Sequence, residues 1–501
     1  MMAPPLTRPA LQTGGVALFA LISALVVVLL GGCASLGPAV EPIARHGPAQ
    51  AGLDQGAAVP TVNAAWWREF NDPTLNDLID RALAGQPGLQ AAAARVAHAG
   101  AALAASRAAL APQLGLAADI TRQHFTERGL VPPPIAGSER TSATLQVTGQ
   151  WELDFFGRHQ VALQAALGQQ RAAQAELGAA RVLLVSRIAL GHVGLARLVS
   201  QQQIARSALQ QREAMLGLTR QRVAGGMDTQ VELRQAESAV PEVRQQIEAL
   251  AEQIALARHQ LAVLSGQPPQ ALAALTPTLQ PLPVDALPER LPADLLGRRA
   301  DVVAARWRIE AATQDVQGAR AAFYPDIDLL GFAGLSALGL DRLLSPGSLN
   351  LGVGPALRLP IFDGGRLRAQ LKGREAELDA AIAAYNGAVL DAAREAADAI
   401  VSLRSIERQQ AEQAQAQAAA ESAYDFAQQR YRAGLGTYLT VLSAETSVLA
   451  QRRLGADLKA RALESRIGLM RALGGGWQAD GDLTRVSGGW HDDELLKTAQ
   501  R

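Results

Sequence analysis

The clearest hydrophobic period in the chain is two. Between residues 141 and 153, Ala143, Leu145, Val147, Trp151 and Leu153 alternate with Thr144, Gln146, Thr148, Gln150 and Glu152. That spacing puts apolar groups on one face of a strand and polar groups on the other. A companion strand is expected at 113–124, and two more at 326–338 and 349–359, where Gly331, Gly334, Gly352 and Gly354 weaken the pattern. Elsewhere the pattern is helical. Residues 75–111 read as one helix, and 158–223 and 366–431 are Ala/Leu/Gln/Arg/Glu-rich runs without proline. Sixty-odd residues at 1.5 Å each make a rod of roughly 95 Å. Each run ends at a short Gly-containing turn, after which Thr229 and Thr437 are placed to cap a returning helix. Pro241 should kink the first return helix, while its counterpart Leu449 should not kink the second.

The same plan occurs twice. Pro112 and Pro325 sit in similar strand starts, each preceded by an arginine, Arg107 and Arg320. Phe156-Gly157-Arg158 matches Gly364-Gly365-Arg366 at an offset of 208. The same offset of 208 sets 221–229 on 429–437, and Ala236-Glu237-Ser238 on Ala444-Glu445-Thr446. Such self-similarity is the mark of a duplication. The expected division is a first repeat at 66–266, a Pro-rich linker at 267–298, a second repeat at 299–473 and a tail at 474–501.

Composition narrows the chemistry. Aromatics are 4% against 49% hydrophobic residues, much of it alanine, which favours long close-packed helices over a bulky globular core. Acidic and basic side chains balance at 47 each, which gives no electrostatic reason to expect a nucleic acid partner. The seven histidines have no metal-ligand spacing, no nucleophile motif is present, and one cysteine makes neither an intrachain disulfide nor a Cys-rich zinc site. Asp154 and Asp363, beside strand ends, read as turn or cap residues, and the acidic tail at His491 as an exposed terminus. The expectation is no enzyme, no metal and no cofactor.

The single cysteine follows an apolar run, Val16 to Leu30, preceded by Arg8. The run is about 15 residues, short of the ~20 that span a bilayer as a helix, and suits a signal peptide. It ends Leu30-Gly31-Gly32-Cys33, which resembles the lipobox of bacterial lipoproteins. That resemblance implies a signal peptide at 1–32 and a lipid-anchored leader at 33–65 with the lipid on Cys33. Ala34 in place of Asp implies sorting to the outer membrane. Residues 34–60, rich in Gly, Pro and Ala, read as flexible.

Four amphipathic strands are too few to close a barrel, so oligomerisation is expected to close the sheet, with the helical hairpins forming a tube. Several landmarks carry a more specific resemblance. They are Trp66-Trp67-Arg68-Glu69-Phe70-Asn71-Asp72-Pro73-Thr74-Leu75, Trp151-Glu152-Leu153-Asp154-Phe155-Phe156-Gly157-Arg158, Leu291-Pro292-Ala293-Asp294-Leu295-Leu296, Ala321-Ala322-Phe323-Tyr324-Pro325, Leu359-Pro360-Ile361-Phe362-Asp363-Gly364-Gly365-Arg366 and Ala472-Leu473-Gly474-Gly475-Gly476-Trp477. With them the chain resembles the TolC-like outer-membrane efflux proteins, in the lipoprotein branch of the OprM/NodT type.

The resemblance implies a mainly α fold with a membrane β-barrel. Three chains give twelve strands, four each, continued by a twelve-helix coiled-coil tunnel. It implies an exit duct of a tripartite pump in the outer membrane, extending into the periplasm. Its partners would be a periplasmic adaptor and an inner-membrane transporter of the RND type, and its cargo drugs or other small molecules. Gly225, Gly226, Asp228, Thr229, Gly434, Leu435, Gly436 and Thr437 correspond to adaptor-docking tips, although such glycines also simply end helices. Leu439 and Ser443, four apart on one helix face, correspond to the periplasmic gate. Ser443 departs from the family's usual aspartate, and Glu445, two residues on, faces elsewhere. Ala300 and Arg306 replace the usual proline and glutamate at a helix start. The alternatives are the outer-membrane component of a type I protein secretion system and a structural coiled-coil envelope lipoprotein.

Overall fold

The computed structural model describes residues 41–54, 63–280 and 295–477. The signal segment, Cys33, the middle of the Pro-rich linker and the tail around His491 lie outside the described residues.

The elements run α1 (Pro73–Gly85), α2 (Pro87–Ala108), β1 (Gln113–His124), β2 (Glu139–Glu152), α3 (Arg158–Ala224) and α4 (Gln230–Leu264). The second half repeats the order with α5 (Ala300–Ala321), β3 (Asp326–Leu338), β4 (Leu349–Arg358), α6 (Arg366–Arg432) and α7 (Tyr438–Ala472). The paired helices match in length, 67 residues for α3 and α6 and 35 for α4 and α7. The helix expected over 75–111 is two helices instead. Gln86 is extended, at ψ 125°, because Pro87 begins the second helix and disfavours a helical residue before it. The assigned helix α4 continues through Pro241.

The described residues divide into two compact units that do not follow the duplication. One comprises 41–44, 99–170 and 308–382, the other 45–54, 63–98, 171–280, 295–307 and 383–477. Each takes residues from both repeats.

The first unit holds the sheet. Its order is β1-β2-β3-β4, antiparallel throughout, so the repeats join through the β2–β3 pair. The register aligns Leu116, Val147, Ala333 and Leu351 across all four strands, and Ala118, Leu145 and Leu335 in the next row. One face is therefore apolar from edge to edge. The other carries Thr148, Gln150, Thr144, Ser336 and Asn350. The glycines of β3 and β4 have packing reasons. A Cβ at Gly352 would lie 2.8 Å from the Phe332 ring, and one at Gly334 would meet the backbone of β2.

The second unit is helical. Asp72 caps α1 by accepting from the N–H groups of Thr74 and Leu75. Its core sets Trp66, Trp67, Leu75, Leu78 and Ile79 against Ile188 and Leu195 of α3, Leu261 of α4 and Ile467 of α7. The glycines before Trp477 are structural. Gly474 and Gly476 have φ of 80° and 95°, and a Cβ at Gly178 would run into the Trp477 indole. The leader is not wholly a free tether. Leu53 is buried among Ala393, Ala396, Ile400, Leu469 and Leu473, and the His46 N–H donates to Asn386 Oδ1 at 2.7 Å. Apolar burial thus overrides the loop-like composition of that stretch.

Candidate functional site

The two hairpin turns share one geometry. After α3, Gly226 adopts φ 70°, its N–H bonds the Val223 carbonyl, and the Met227 N–H reaches back to Arg222 O at 2.9 Å. After α6, Gly434 adopts φ 78°, its N–H bonds Tyr431 O, and the Leu435 N–H reaches Arg430 O at 2.8 Å. Only glycine takes this left-handed position without cost, so these glycines do end helices. The helices restart at capping threonines. Thr229 accepts from the Val231 N–H and exchanges hydrogen bonds with Glu232, while Thr437 accepts from the Thr440 N–H.

Met227 and Leu435, one residue past each left-handed glycine, stand 63% and 70% exposed. Sequence reading singled out Leu435 and passed over Met227, its partner at the 208 offset. Gly225, Gly226, Thr229, Gly434 and Thr437 are exposed too. Asp228 is turned to internal use. It accepts from Arg222 Nε at 2.8 Å and Nη2 at 3.1 Å, and from the Tyr431 hydroxyl at 2.6 Å. Arg222 also donates to Tyr431 O at 2.9 Å and lies 4.5 Å from the centre of the Tyr431 ring. Thr219 Oγ1 pairs with the same hydroxyl at 3.0 Å.

This cluster ties the first repeat's turn to the end of α6. Hydrogen bonds from Arg222 hold the Asp228 carboxyl below its usual range, against burial, with Tyr431 adding to the effect. Burial, with the Asp228 hydrogen bond, pushes the Tyr431 phenol up to about 12, so it remains a donor. The duplication does not repeat the cluster, because Val223 stands at the place of Tyr431 and Gly436 at that of Asp228. That mismatch between otherwise similar turns was the available signal.

Helix α7 has two faces. Tyr438, Val441, Glu445, Val448 and Leu449 are buried, whereas Leu439 and Ser443 are exposed, Leu439 at 62%. The predicted gate pair thus shares one outward face. Glu445 is on the other face and reaches Arg212 of α3 at 3.1 Å. Burial pushes its carboxyl up, against the pull of Arg212. Near the start of α5, Arg299 is buried between Asp301 and Glu395, at 2.6 and 2.8 Å, and Arg306 lies 5.8 Å from the Trp307 ring. Asp154 and Asp363 act as caps. Asp154 accepts from the N–H groups of His159 and Gln160, and Asp363 from those of Gly365 and Leu367. No cluster of metal-ligating side chains occurs among the described residues.

In the sheet unit the apolar face is open. Leu114 and Val353 are each 78% exposed, and Leu116, Leu351 and Leu357 are similar. Transfer of each such side chain out of water is worth about 1.5–3 kcal/mol. Five exposed aromatics gather where strands meet helices: Trp151, Phe155, Phe156, Tyr324 and Phe362, with Phe156 and Tyr324 stacked at 5.0 Å. An apolar band rimmed by aromatics is the dress of a strand in lipid.

An apolar-faced antiparallel sheet with long helical hairpins defines a membrane protein of the channel class. The comparisons agree. The family model described as outer membrane efflux protein matches residues 78–267 and 291–475. A fusaric acid resistance protein, FusA, of Burkholderia cepacia is 38% identical over 360 residues, covering 69% of this chain and 67% of its own length. The pyoverdine export outer membrane protein OpmQ of Pseudomonas aeruginosa is 33% identical over 458 residues, covering 90% and 96%. The crystal structure of the outer membrane protein VceC from Vibrio cholerae has a TM-score of 0.79 at 37% identity, over 83% of this chain and all of that one. The chain belongs to the outer membrane efflux protein family. It is an efflux channel protein of the outer membrane.

Proposed function

We propose that three copies of this chain close a twelve-stranded barrel and a twelve-helix tunnel, and that the trimer is the exit duct of a tripartite pump. The observation that carries closure by further copies is the sheet itself. Its apolar face is continuous and exposed, yet β1 and β4 each pair on one side only among the described residues. Such edges are resolved by closure with further strands. The paired 67-residue and 35-residue helices support a tunnel built on the same symmetry.

In this reading the tips around Met227 and Leu435 meet a periplasmic adaptor, which couples the duct to an energised inner-membrane transporter of the RND type. The exposed apolar side chains at both turns support that role. Leu439 and Ser443 form the periplasmic gate, and without a carboxylate at Ser443 closure rests on Leu439. Cys33 carries the lipid anchor, supported by the lipobox-like Leu30-Gly31-Gly32-Cys33. The duct itself performs no chemistry. Cargo is of the small-molecule class named for the relatives, fusaric acid and pyoverdine among them. The gate is tested by Leu439→Ala, expected to raise closed-state conductance in planar bilayers. An unchanged closed-state current would remove Leu439 from the gate. Loss of labelled palmitate from Cys33→Ala tests the anchor, and equal labelling of the variant would refute it.

A further inference from the structure

Arg212 of α3 bonds two other long helices, α4 and α7, at a single level of the hairpins. It rises from α3 with its side chain nearly covered. Its Nε donates to Glu445 of α7 at 3.1 Å, and its Nη1 donates to the Ala239 carbonyl of α4 at 2.9 Å. The outer carboxylate, Glu242, is 3.6 Å away. Ala239 lies two residues before Pro241, in the turn where the missing N–H loosens the helical ladder. Glu445 is only 5% exposed and sits on the α7 face that carries Tyr438, Val441 and Val448.

The shared architecture does not demand this arrangement. At the offset of 208, Ala420 stands where Arg212 does, and Glu237 stands where Glu445 does. Glu237 is partly exposed and makes surface pairs with Arg220 and Arg234. One repeat therefore has an ordinary solvated carboxylate, and the other has a buried one with a dedicated arginine. A buried pair contributes little net stability, but removing one partner strands the other charge.

We propose that Arg212 and Glu445 form a latch that holds α7 against α3 and α4 in the closed state. This rests on the reading of the chain as a gated duct. The latch lies behind the gate, since Leu439 and Ser443 occupy the opposite face of the same turns of α7. For the two hairpins of a chain to part, Arg212 must surrender Glu445, while its bond to the Ala239 carbonyl lies within the first hairpin and fixes the guanidinium there. Arg212 and Glu445 are positioning residues, acting on the gate through α7.

The test is single-channel recording of the full-length reconstituted protein, with heat resistance of the oligomer as a check on assembly. Arg212→Met is expected to raise open probability about tenfold or more, the shift that ~1.4 kcal/mol off the closed state gives. Glu445→Gln keeps an oxygen for Arg212 Nε and leaves Glu242, 3.6 Å away, to face the guanidinium charge, so it should stay near wild type. Arg212→Met/Glu445→Met removes the stranded charge and should close again. Should Arg212→Met fail to assemble, Arg212→Lys, which lacks the fork to serve both acceptors, should open about threefold. Wild-type open probability in the arginine variants overturns the latch, as does a double variant no tighter than the single. Tyr431→Phe, which acts at the separate tip cluster, is the reference arm. If it opens while the arginine variants stay shut, only the latch fails. If no variant and no wild type conducts at all, the duct reading falls and the latch with it.

Discussion

Replacing Tyr431 by phenylalanine removes one oxygen from the tip and little else. The ring is fully buried, and its contact with Arg222, 4.5 Å from guanidinium to ring centre, survives. What is lost is the 2.6 Å bond to the Asp228 carboxylate and the 3.0 Å pairing with buried Thr219. A hydrogen bond to a charged group is worth about 1.5–3 kcal/mol, and an orphaned buried hydroxyl adds about 1 kcal/mol. The closed arrangement should therefore lose about 2–4 kcal/mol relative to one in which the phenol and Asp228 meet water. At ~1.4 kcal/mol per decade, the ratio of open to closed channels rises roughly 30- to 1,000-fold. Asp228 keeps both bonds from Arg222, so the turn should stay folded. Single-channel open probability, with oligomer heat resistance as the control, measures the effect. An open probability within about threefold of wild type, in an intact oligomer, would refute the reasoning that this cluster, by tying the first turn to the end of α6, also favours the closed channel.

Leu116→Lys places a charge on the apolar sheet face and should cost about 2–4 kcal/mol in the membrane. Thr148→Lys on the opposite face should insert normally, and equal membrane yields for the two would contradict the facing assigned here. Gly178→Ala drives a methyl into the Trp477 indole and should destabilise by about 1–3 kcal/mol, read as a lower melting temperature in detergent. Mild acid should not open the channel. The folded pKa of Asp228 is lowered, mainly by Arg222, so its stabilisation is present above the ordinary 3.8 and is lost only as pH falls through the lower folded value. Glu445, facing Arg212 with Tyr424, Tyr438 and Glu242 nearby, has a raised pKa. Its contribution is fully present below the ordinary 4.5 and is lost as pH rises through the folded value, so acid favours the packed state. Open probability measured at pH 7.5 and pH 5 checks both, and a marked rise at pH 5 would contradict them.

Much of this fold was legible because its periods are long and clean. The alternation in β2 and the proline-free runs of α3 and α6 are local signals, and the structure follows them within a residue or two. Gly352 and Gly334 obscured β3 and β4 because their reason is across the sheet, in the Phe332 ring and the β2 backbone. The break at Gln86 follows from Pro87, which was visible in the sequence. Leu53 looked like part of a tether because its burial depends on α6 and α7, hundreds of residues away. The tip turns were found through the duplication, but Arg222, Tyr431 and Thr219 were not. Their chemistry arises only where the two repeats meet and differ. Glu445 was seen to face away from the predicted gate, and only the packed helices reveal Arg212 as its partner.

The central claim is that copies of this chain close a conducting duct. Full-length protein extracted in mild detergent should run as a heat-resistant trimer and, added to planar lipid bilayers, should give discrete ion-conductance steps. A monomer that inserts without conducting would contradict it.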